Sequence, residues 1–176
     1  MKVGRLKRVI ARLAVLMVAI GAPAVVTATP AQAQYVSITT YGVLYNFANS
    51  QRFSLVHWRS DNNVTMDGAT RHTLLIMDGP PNGHIIATNI NGMCLDSNFG
   101  GGVYVMGCSS GVNKHQRWHF NATGVRRAIK YGQPSGDVQS YQIINVATGR
   151  CLDGNTSDAY TLPCNGGDHQ RWYIGS

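Results

Sequence analysis

An internal repeat constrains the fold of this 176-residue chain more than any other feature of its sequence. The segment Asn-Gly-Met-Cys-Leu-Asp at 91–96 returns 57 positions later as Thr-Gly-Arg-Cys-Leu-Asp at 148–153. Two further segments recur in the same order, 104–108 as 160–164 and 115–118 as 169–172. A unit of this length cannot bury its own apolar face, so we expect the repeats to pack against one another.

A third, altered copy lies upstream of these two. It consists of three segments that match the last copy, 46–54 with 145–153, 64–68 with 160–164 and 72–74 with 170–172. This alignment places Phe53 at the position of Leu152 and Val64 opposite Tyr160. Four candidate site positions of the later copies carry other residues here: Ser54, Met66, His72 and Leu74. The copy has kept the apolar pattern and lost the cysteines, the aspartate and the Gln-x-Trp.

The chain after residue 33 has the pattern of an all-β protein. Short apolar or β-branched runs, such as 84–88, 103–106 and 141–146, alternate with clusters rich in glycine, asparagine, serine and aspartate. Such alternation is typical of strands and tight turns. Because no amphipathic helical stretch of useful length follows residue 33, we predict an all-β domain.

The N-terminal segment reads as a secretory signal peptide, residues 1–33. It has a basic start, an apolar core from Leu13 to Ile20 and small residues ending in Ala31-Gln32-Ala33. An uncleaved membrane anchor is the alternative, but the apolar run is shorter than the roughly 20 residues of a span. We therefore expect cleavage after Ala33, a secreted, extracellular chain of residues 34–176, and no membrane span after cleavage.

Charge and composition exclude several kinds of function. The formal net charge of +7 includes five basic side chains and no acid within 1–33, which leaves the rest at about +2. A nucleic-acid binder needs a clustered basic face, so we expect no nucleic-acid partner. The chain has no glutamate, and its eight acids are all aspartates. A glycosidase could use a pair of aspartates, but the sequence does not place two of them across a cleft.

Four cysteines in an exported chain predict two disulfide bonds, for which three connectivities exist. Zinc ligation is the competing interpretation. Because the chain lacks a Cys-x-x-Cys motif, we expect no metal site, and nothing in the sequence calls for a cofactor.

The three repeats, of which the last two carry Gly-x-Cys-Leu-Asp, a second cysteine and Gln-x-Trp, resemble the ricin-type β-trefoil lectin family. The resemblance is strong over 84–176 and weak over 35–78. It implies a pseudo-threefold β-trefoil of twelve strands, a six-stranded barrel closed by three hairpins, with repeats at about 35–78, 79–124 and 125–176. It also implies a core on the shared axis and two disulfides: Phe53, Leu74, Leu95, Trp118, Leu152 and Trp172, with Cys94–Cys108 and Cys151–Cys164.

The resemblance further implies a carbohydrate site in each of the last two repeats. The residues carried over are Asp96, Tyr104, His115 and Gln116 in the second repeat, and Asp153, Tyr160, His169 and Gln170 in the third. A carboxylate accepts hydrogen bonds from two adjacent hydroxyls, and a ring packs on the C–H face of a sugar. Many sugar-binding members carry that ring two residues before the second cysteine, where this chain has Met106 and Leu162.

Structural roles compete with binding at each of these residues. The aspartates can cap hairpin turns, the tyrosines can be packing rings, and the histidines can make structural hydrogen bonds. The glutamine of each Gln-x-Trp is expected to satisfy backbone groups where the chain turns. Trp58 has no counterpart in the other repeats and is a candidate for a separate binding surface.

The sequence therefore predicts a secreted lectin-like protein that binds a glycan or polysaccharide non-covalently and is not an enzyme. Two alternatives remain open. One is a protein-interaction or inhibitory trefoil, with a secreted protein partner and decayed sugar sites. The other is a non-catalytic subunit of a secreted enzyme or toxin.

Overall fold

A computed structural model describes residues 35–49, 53–54, 62–66, 73–79, 81–88, 92–130 and 133–175. All of them lie in one unit, Gln32–Ser176. The predicted signal peptide, Trp58, His72 and the side chains of Phe53 and Ser54 lie outside the described residues.

The described residues form twelve strands and two short 3-10 helices. The strands are β1 (Thr40–Asn46), β2 (Phe53–Ser54), β3 (Thr65–Met66), β4 (Leu74–Gly79), β5 (Gly83–Thr88), β6 (Met93–Ser97), β7 (Val103–Gly107), β8 (Trp118–Lys130), β9 (Gln133–Asn145), β10 (Cys151–Gly154), β11 (Ala159–Leu162) and β12 (Trp172–Gly175). The helices are η1 (Lys114–Gln116) and η2 (Asp168–Gln170). No helix within these ranges has the length and apolar character that a membrane span requires. The predicted all-β class is confirmed.

Six of the strands close into a barrel. β1 pairs with β4, β4 with β5, β5 with β8, β8 with β9, β9 with β12, and β12 returns to β1, all antiparallel. The remaining strands form three hairpins, β2–β3, β6–β7 and β10–β11. The predicted barrel with its triplet of hairpins is confirmed.

The three hairpins are joined to one another by a ring of backbone hydrogen bonds. The amide of Val105 donates to Asn62, at 2.9 Å, and the amide of Thr161 donates to Gly101, at 2.8 Å. The amide of Met66 donates to Ser157, also at 2.8 Å, and completes the ring. Each hairpin therefore supports the next, and Met66, Val105 and Thr161 occupy equivalent positions.

This equivalence corrects the alignment of the first repeat. Ser54 pairs with Thr65, as Asp96 pairs with Tyr104, so Thr65 stands at the tyrosine position. The predicted match of Val64 to that position was wrong by one residue. Alternating strand positions face opposite sides, so a slip of one residue exchanges the faces. Val64 is accordingly buried, whereas Thr65 is only half-buried.

The core on the barrel axis contains every predicted core residue whose side chain the structure describes. Trp118 and Trp172 are fully buried among Leu74, Leu95 and Leu152. Each indole N–H donates to the leucine carbonyl of its own repeat, Trp118 to Leu95 at 3.0 Å and Trp172 to Leu152 at 2.9 Å. The polar edge of each large ring is thereby satisfied inside an apolar core.

A second apolar cluster, which the sequence analysis missed, lies outside that core. β8 and β9 have 13 residues each, against 6 in β4 and β5, so their hairpin extends well beyond the shared barrel pattern. Ala128 of this long hairpin is buried with three residues of β1 and β12: Val43, Tyr45 and Tyr173. β1 is therefore buried on both faces.

His84 links the barrel to the segment that precedes it and makes stability depend on pH. The Ile38 amide donates to Nε2 at 2.9 Å, so the ring carries its proton on Nδ1 and donates it to the Trp118 carbonyl, at 3.2 Å. Burial lowers the pKa of His84 below its ordinary 6.5. Below about pH 6.5 His84 is therefore protonated more readily in the unfolded chain than in the folded one. The free energy of unfolding should fall as the pH drops below that value.

Thermal unfolding measured between pH 7 and pH 5 tests this dependence. We expect His84→Asn, which does not titrate, to show a shallower loss of stability over that interval than the unmodified protein. Burial also lowers the pKa of His119, which accounts for a residual slope in the variant. Equal slopes in the two proteins would contradict the role given to His84.

Candidate functional site

In the second repeat, Asp96 and Tyr104 face each other across the β6–β7 hairpin. Burial raises the pKa of Tyr104, and the neighbouring carboxylate raises it further. Asp96 is only 2% exposed, whereas the tyrosine is half-buried and reaches the surface.

His115, on η1, reaches the same end of β6. Its Nδ1 lies 2.6 Å from the carbonyl oxygen of Ser97, the residue after Asp96. A carbonyl cannot donate, so Nδ1 carries the proton of this hydrogen bond. The side chain of Asn113 accepts from the His115 amide at 3.1 Å and so holds the turn in place. The aspartate, the tyrosine and the histidine thus converge on one strand end.

The third repeat builds the same arrangement. Asp153 pairs with Tyr160 across β10–β11, and burial, together with the charge of Asp153, raises the pKa of Tyr160. His169, on η2, has its Nδ1 2.7 Å from the carbonyl oxygen of Gly154, the residue after the aspartate. Asp153 is 3% exposed. The structure therefore brings together three of the four residues predicted for each site, on equivalent strands and 3-10 helices of the two repeats.

The fourth predicted residue of each site, the glutamine, is buried and bonded to the backbone. Gln116 accepts from the Ser109 amide at 2.9 Å and donates to the Gly107 carbonyl at 3.1 Å. Gln170 makes the equivalent bonds to Asn165 and Pro163, at 2.8 and 3.1 Å. The prediction that these glutamines satisfy backbone groups is confirmed, and their side chains lie beneath the surface.

Both predicted disulfides are present and close the hairpins that carry the aspartates. Cys94 is bonded to Cys108 and Cys151 to Cys164. The first cysteine of each pair is buried two residues before the aspartate, and the second is exposed. Each bridge therefore fixes the two strands from which the aspartate and the tyrosine project.

Phe99 is a candidate site residue that sequence reasoning missed. It lies on the turn between β6 and β7 and is 69% exposed. Its ring meets the His115 ring edge-on, with centroids 5.3 Å apart and an interplanar angle of 86°. The available signal was a lone aromatic residue followed by three glycines, but that pattern also fits an ordinary turn. Thr156 stands at the corresponding place in the third repeat, so only the second site has this ring.

The charges beside the two histidines also differ. The residue before the histidine is Lys114 in the second repeat and Asp168 in the third, and both are exposed. Arg126, on the long β8–β9 hairpin, forms an ion pair with Asp168, and Arg171 lies 3.9 Å from the same carboxylate. The hydrogen bond from Arg126 lowers the pKa of Asp168. The third site thus has a carboxylate held by arginine where the second has a lysine.

The first repeat lacks this constellation. Ser54 and Thr65 occupy the paired positions of the aspartate and the tyrosine, and His72 lies outside the described residues. At the positions two residues before the second cysteines, Met106 and Leu162 are exposed. No group of three or more histidine, cysteine or acidic side chains suited to a metal ion occurs within the described ranges.

The closed six-stranded barrel, its ring of hairpins and its two equivalent polar clusters define a β-trefoil protein with a repeated surface site. Residues 114–176 match the family model described as a ricin-type beta-trefoil lectin domain-like domain. The match covers the third repeat and the end of the second, and it agrees with the resemblance that the repeats indicated.

Solved structures share this fold at low sequence identity. The designed threefold-symmetric protein ThreeFoil is 18% identical, with a TM-score of 0.57 over 77% of this chain and 98% of its own. The hemolytic lectin CEL-III is 21% identical, with a TM-score of 0.60 over 77% of this chain and 32% of its own, so the chain spans about a third of it. SeviL bound to asialo-GM1 saccharide is 12% identical, with a TM-score of 0.55 over 78% and 98%.

Proposed function

We propose that this protein is a secreted, lectin-like protein that binds glycans without catalysis, at one site in its second repeat and one in its third. The observation that carries the proposal is the duplicated cluster of aspartate, tyrosine and histidine at the ends of β6 and β10. The first repeat, which lacks the cluster, has no part in binding.

The chemistry of the cluster suits a sugar. Several polar atoms converge on a small surface area beside apolar side chains, which is the combination that a ring with hydroxyl edges and a C–H face requires. In the second repeat, Phe99 offers an exposed ring next to His115. In the third repeat, Leu162 is the exposed apolar group nearest in sequence to the tyrosine.

Two sites of this kind gain strength when they are used together. Each cluster is small and lies at the surface, so a single sugar makes few contacts and binds weakly. A polysaccharide or a surface dense in glycans can occupy both sites of one molecule, which raises the apparent affinity by about 10²–10⁴-fold where the spacing allows. We therefore expect polymers to be bound more tightly than the monosaccharides that compose them.

A protein partner is the second candidate function, and one observation favours it. The long β8–β9 hairpin exposes Val125 and Ile129 on the side away from the buried Ala128. Exposed apolar side chains on one face are typical of protein contacts, although two isolated residues make a small patch. Capture of a single secreted protein, lost in a Val125→Ser/Ile129→Ser variant, would support this function.

Retention of the purified protein on insoluble xylan, on galactan and on a glycan array tests the leading proposal. We expect reversible binding to at least one glycan. The amount of protein retained should not change after long incubation, because the protein cleaves no bond of the glycan. A properly folded protein that is retained on none of these materials would refute glycan binding.

Phe99→Ala is expected to weaken binding at the second site by roughly tenfold, because a stacked aromatic contact contributes about 1–1.5 kcal/mol. Tyr41→Ala is the matched control, since Tyr41 is 67% exposed and lies on the barrel strand β1, opposite Leu75 of β4. Titration of soluble glycan against each variant by calorimetry measures the effect. Equal affinities for the Phe99 and Tyr41 variants would remove Phe99 from the site.

A further inference from the structure

Residues 35–38, which precede β1 and are called the strap, contact both β5 and β8. The Val36 amide donates to the Phe120 carbonyl of β8 at 3.0 Å, and the Ile38 amide donates to a side chain of β5. The side chains of Val36 and Ile38 are partly buried against the core. The strap lies outside the named strands, so its attachment depends on a few bonds and ring contacts.

His84, on β5, holds the strap through a hydrogen bond that requires the neutral ring. Its Nε2 accepts from the Ile38 amide at 2.9 Å, and its Nδ1 donates to the Trp118 carbonyl, at 3.2 Å. Both nitrogens are thereby used, and the residue is fully buried. A further proton can be added only at Nε2, where two N–H donors would then face each other. Because an unpaired charge in a buried site is costly, protonation requires the Ile38 amide to move away.

The strap is the part that can move, because the other groups around Nε2 belong to the barrel. His84 pairs with Trp118 in the register of β5 and β8. Gly79, on β4, packs closely against the same place, since a Cβ there would lie 2.9 Å from Ser37 Oγ and 3.3 Å from His84 Nε2. The surroundings of the ring are therefore tight, and the strap alone among them lies outside the sheet.

The fold does not require a histidine at this place. The counterpart of His84 in the third repeat is Tyr141, which pairs with Trp172. In the first repeat the counterpart is Gly42, which pairs with Leu74. The histidine is therefore particular to the repeat whose strands carry the strap.

His119, on β8, provides a second link between the strap and the acidity of the solvent. The Tyr35 ring lies flat against the His119 ring, with centroids 4.0 Å apart and an interplanar angle of 8°. Nδ1 of His119 is buried and has no hydrogen-bond partner among the described residues. Burial lowers the pKa of His119, as it lowers that of His84. Departure of the strap uncovers the His119 ring and lets water reach it, so both histidines bind protons more readily in the released form.

The charges that face His84 are weaker influences than its burial. Burial lowers the pKa of His84 most, the neighbouring His119 lowers it further, and Asp78 of β4 raises it. The Asp78 side chain is 54% exposed and forms an ion pair with Arg117 at 2.6 Å, so its effect on the buried ring is screened. Protons therefore favour the released strap, and release should begin as the pH falls below about 6.5.

We propose that the strap is released by acid: protonation of His84 detaches residues 35–38 from β5 and β8 while the barrel and its hairpins stay folded. Release uncovers the apolar surface that Val36 and Ile38 cover, so the molecule presents a different surface in acidic surroundings. The inference does not depend on glycan binding, and it concerns a local opening rather than unfolding of the whole protein.

Amide hydrogen exchange of the unmodified protein, followed by NMR between pH 7.5 and pH 5, tests the release. Each rate is divided by that of an unstructured chain at the same pH. Protection of the Val36 and Ile38 amides should fall by about tenfold or more, because release takes up at least one proton. The Thr161 amide, which donates to Gly101 between two hairpins, should change by less than about threefold. Equal changes at the three amides would overturn the proposal.

Two matched variants identify the histidine responsible. His84→Gln keeps an oxygen that can accept from the Ile38 amide and does not titrate, so it should remove most of the fall in protection. His119→Gln should keep the fall that depends on His84, with a shallower slope. A variant of His84 that retains the full pH dependence would contradict the proposal.

The unmodified protein also gives an answer if glutamine at position 84 fails to hold the strap at pH 7.5. The nitrogen chemical shifts of the His84 ring report which nitrogen carries the proton. We expect a proton on Nδ1 alone at pH 7.5, and we expect Nε2 to gain one over the same pH interval in which the Ile38 amide loses protection. Protonation of Nε2 while the Ile38 amide stays protected would overturn the proposal.

Discussion

Trp118→Ala is expected to lower the free energy of unfolding by about 3–5 kcal/mol, the loss typical of a fully buried aromatic side chain. The substitution creates a cavity on the barrel axis. It also leaves the Leu95 carbonyl without the indole N–H that donates to it at 3.0 Å. For a domain of this size, the midpoint of thermal unfolding should fall by roughly 10–20 °C. Denaturant titration followed by tryptophan-independent circular dichroism measures the loss.

Trp118→Leu is the control that the chain itself provides, because leucine occupies the equivalent position in the first repeat, at Leu74. It should cost clearly less than the alanine variant, since part of the volume is kept. The pseudo-threefold fold also predicts that Trp172→Ala costs about as much as Trp118→Ala. A loss below 1 kcal/mol for Trp118→Ala would mean that the ring is not a core residue.

Removal of the Cys94–Cys108 disulfide is expected to destabilise the protein by about 3 kcal/mol. The bridge closes a loop with a sequence separation of 14, and the loss follows from the greater freedom of the unfolded chain. Loss of the bridge should also disturb the second site, because Cys94 lies two residues before Asp96. We expect Cys94→Ala/Cys108→Ala to weaken glycan binding at the second site more than at the third.

Cys151→Ala/Cys164→Ala is the matched variant, with a sequence separation of 13 and the same place in its repeat. Thermal unfolding should show similar losses for the two variants, and binding should show opposite preferences between the sites. Unfolding curves that are unchanged in both variants and in the reduced protein would contradict a stabilising role for the bridges.

The repeats were enough to predict the parts of the fold that obey the threefold pattern. Cys94 and Cys151, or Trp118 and Trp172, have the same neighbours in sequence, so aligned residues acquire equivalent partners in space. The alignment of the repeats predicts no structure where the repeats differ. The long β8–β9 hairpin has no counterpart elsewhere in the chain, and the cluster that it forms with Tyr45 and Tyr173 could not be inferred by comparison.

The candidate sites were predicted as sets of residues but not as arrangements. Sequence placed Asp96, Tyr104 and His115 near one another, but the depth of the aspartate depends on how the hairpin packs on the barrel. The exposure of Phe99 depends on the turn geometry, in which Asn98 accepts from the Gly102 amide at 3.0 Å. In the first repeat, Val64 and Met66 are both apolar, so the apolar pattern alone did not distinguish the correct register from a slip of one residue.

The pairing of β1 with β12 constrains the order in which the hairpins and the barrel can fold. Leu44 lies opposite Ile174, so the final seam of the barrel joins residues 130 positions apart in the chain. Contacts of such long range form slowly, because the intervening chain must be ordered before they contribute. Each disulfide-closed hairpin can form locally and early, whereas the ring remains open until the last strand is available. The barrel should therefore close only after β12 has been synthesised, in a step that joins β12 to β1.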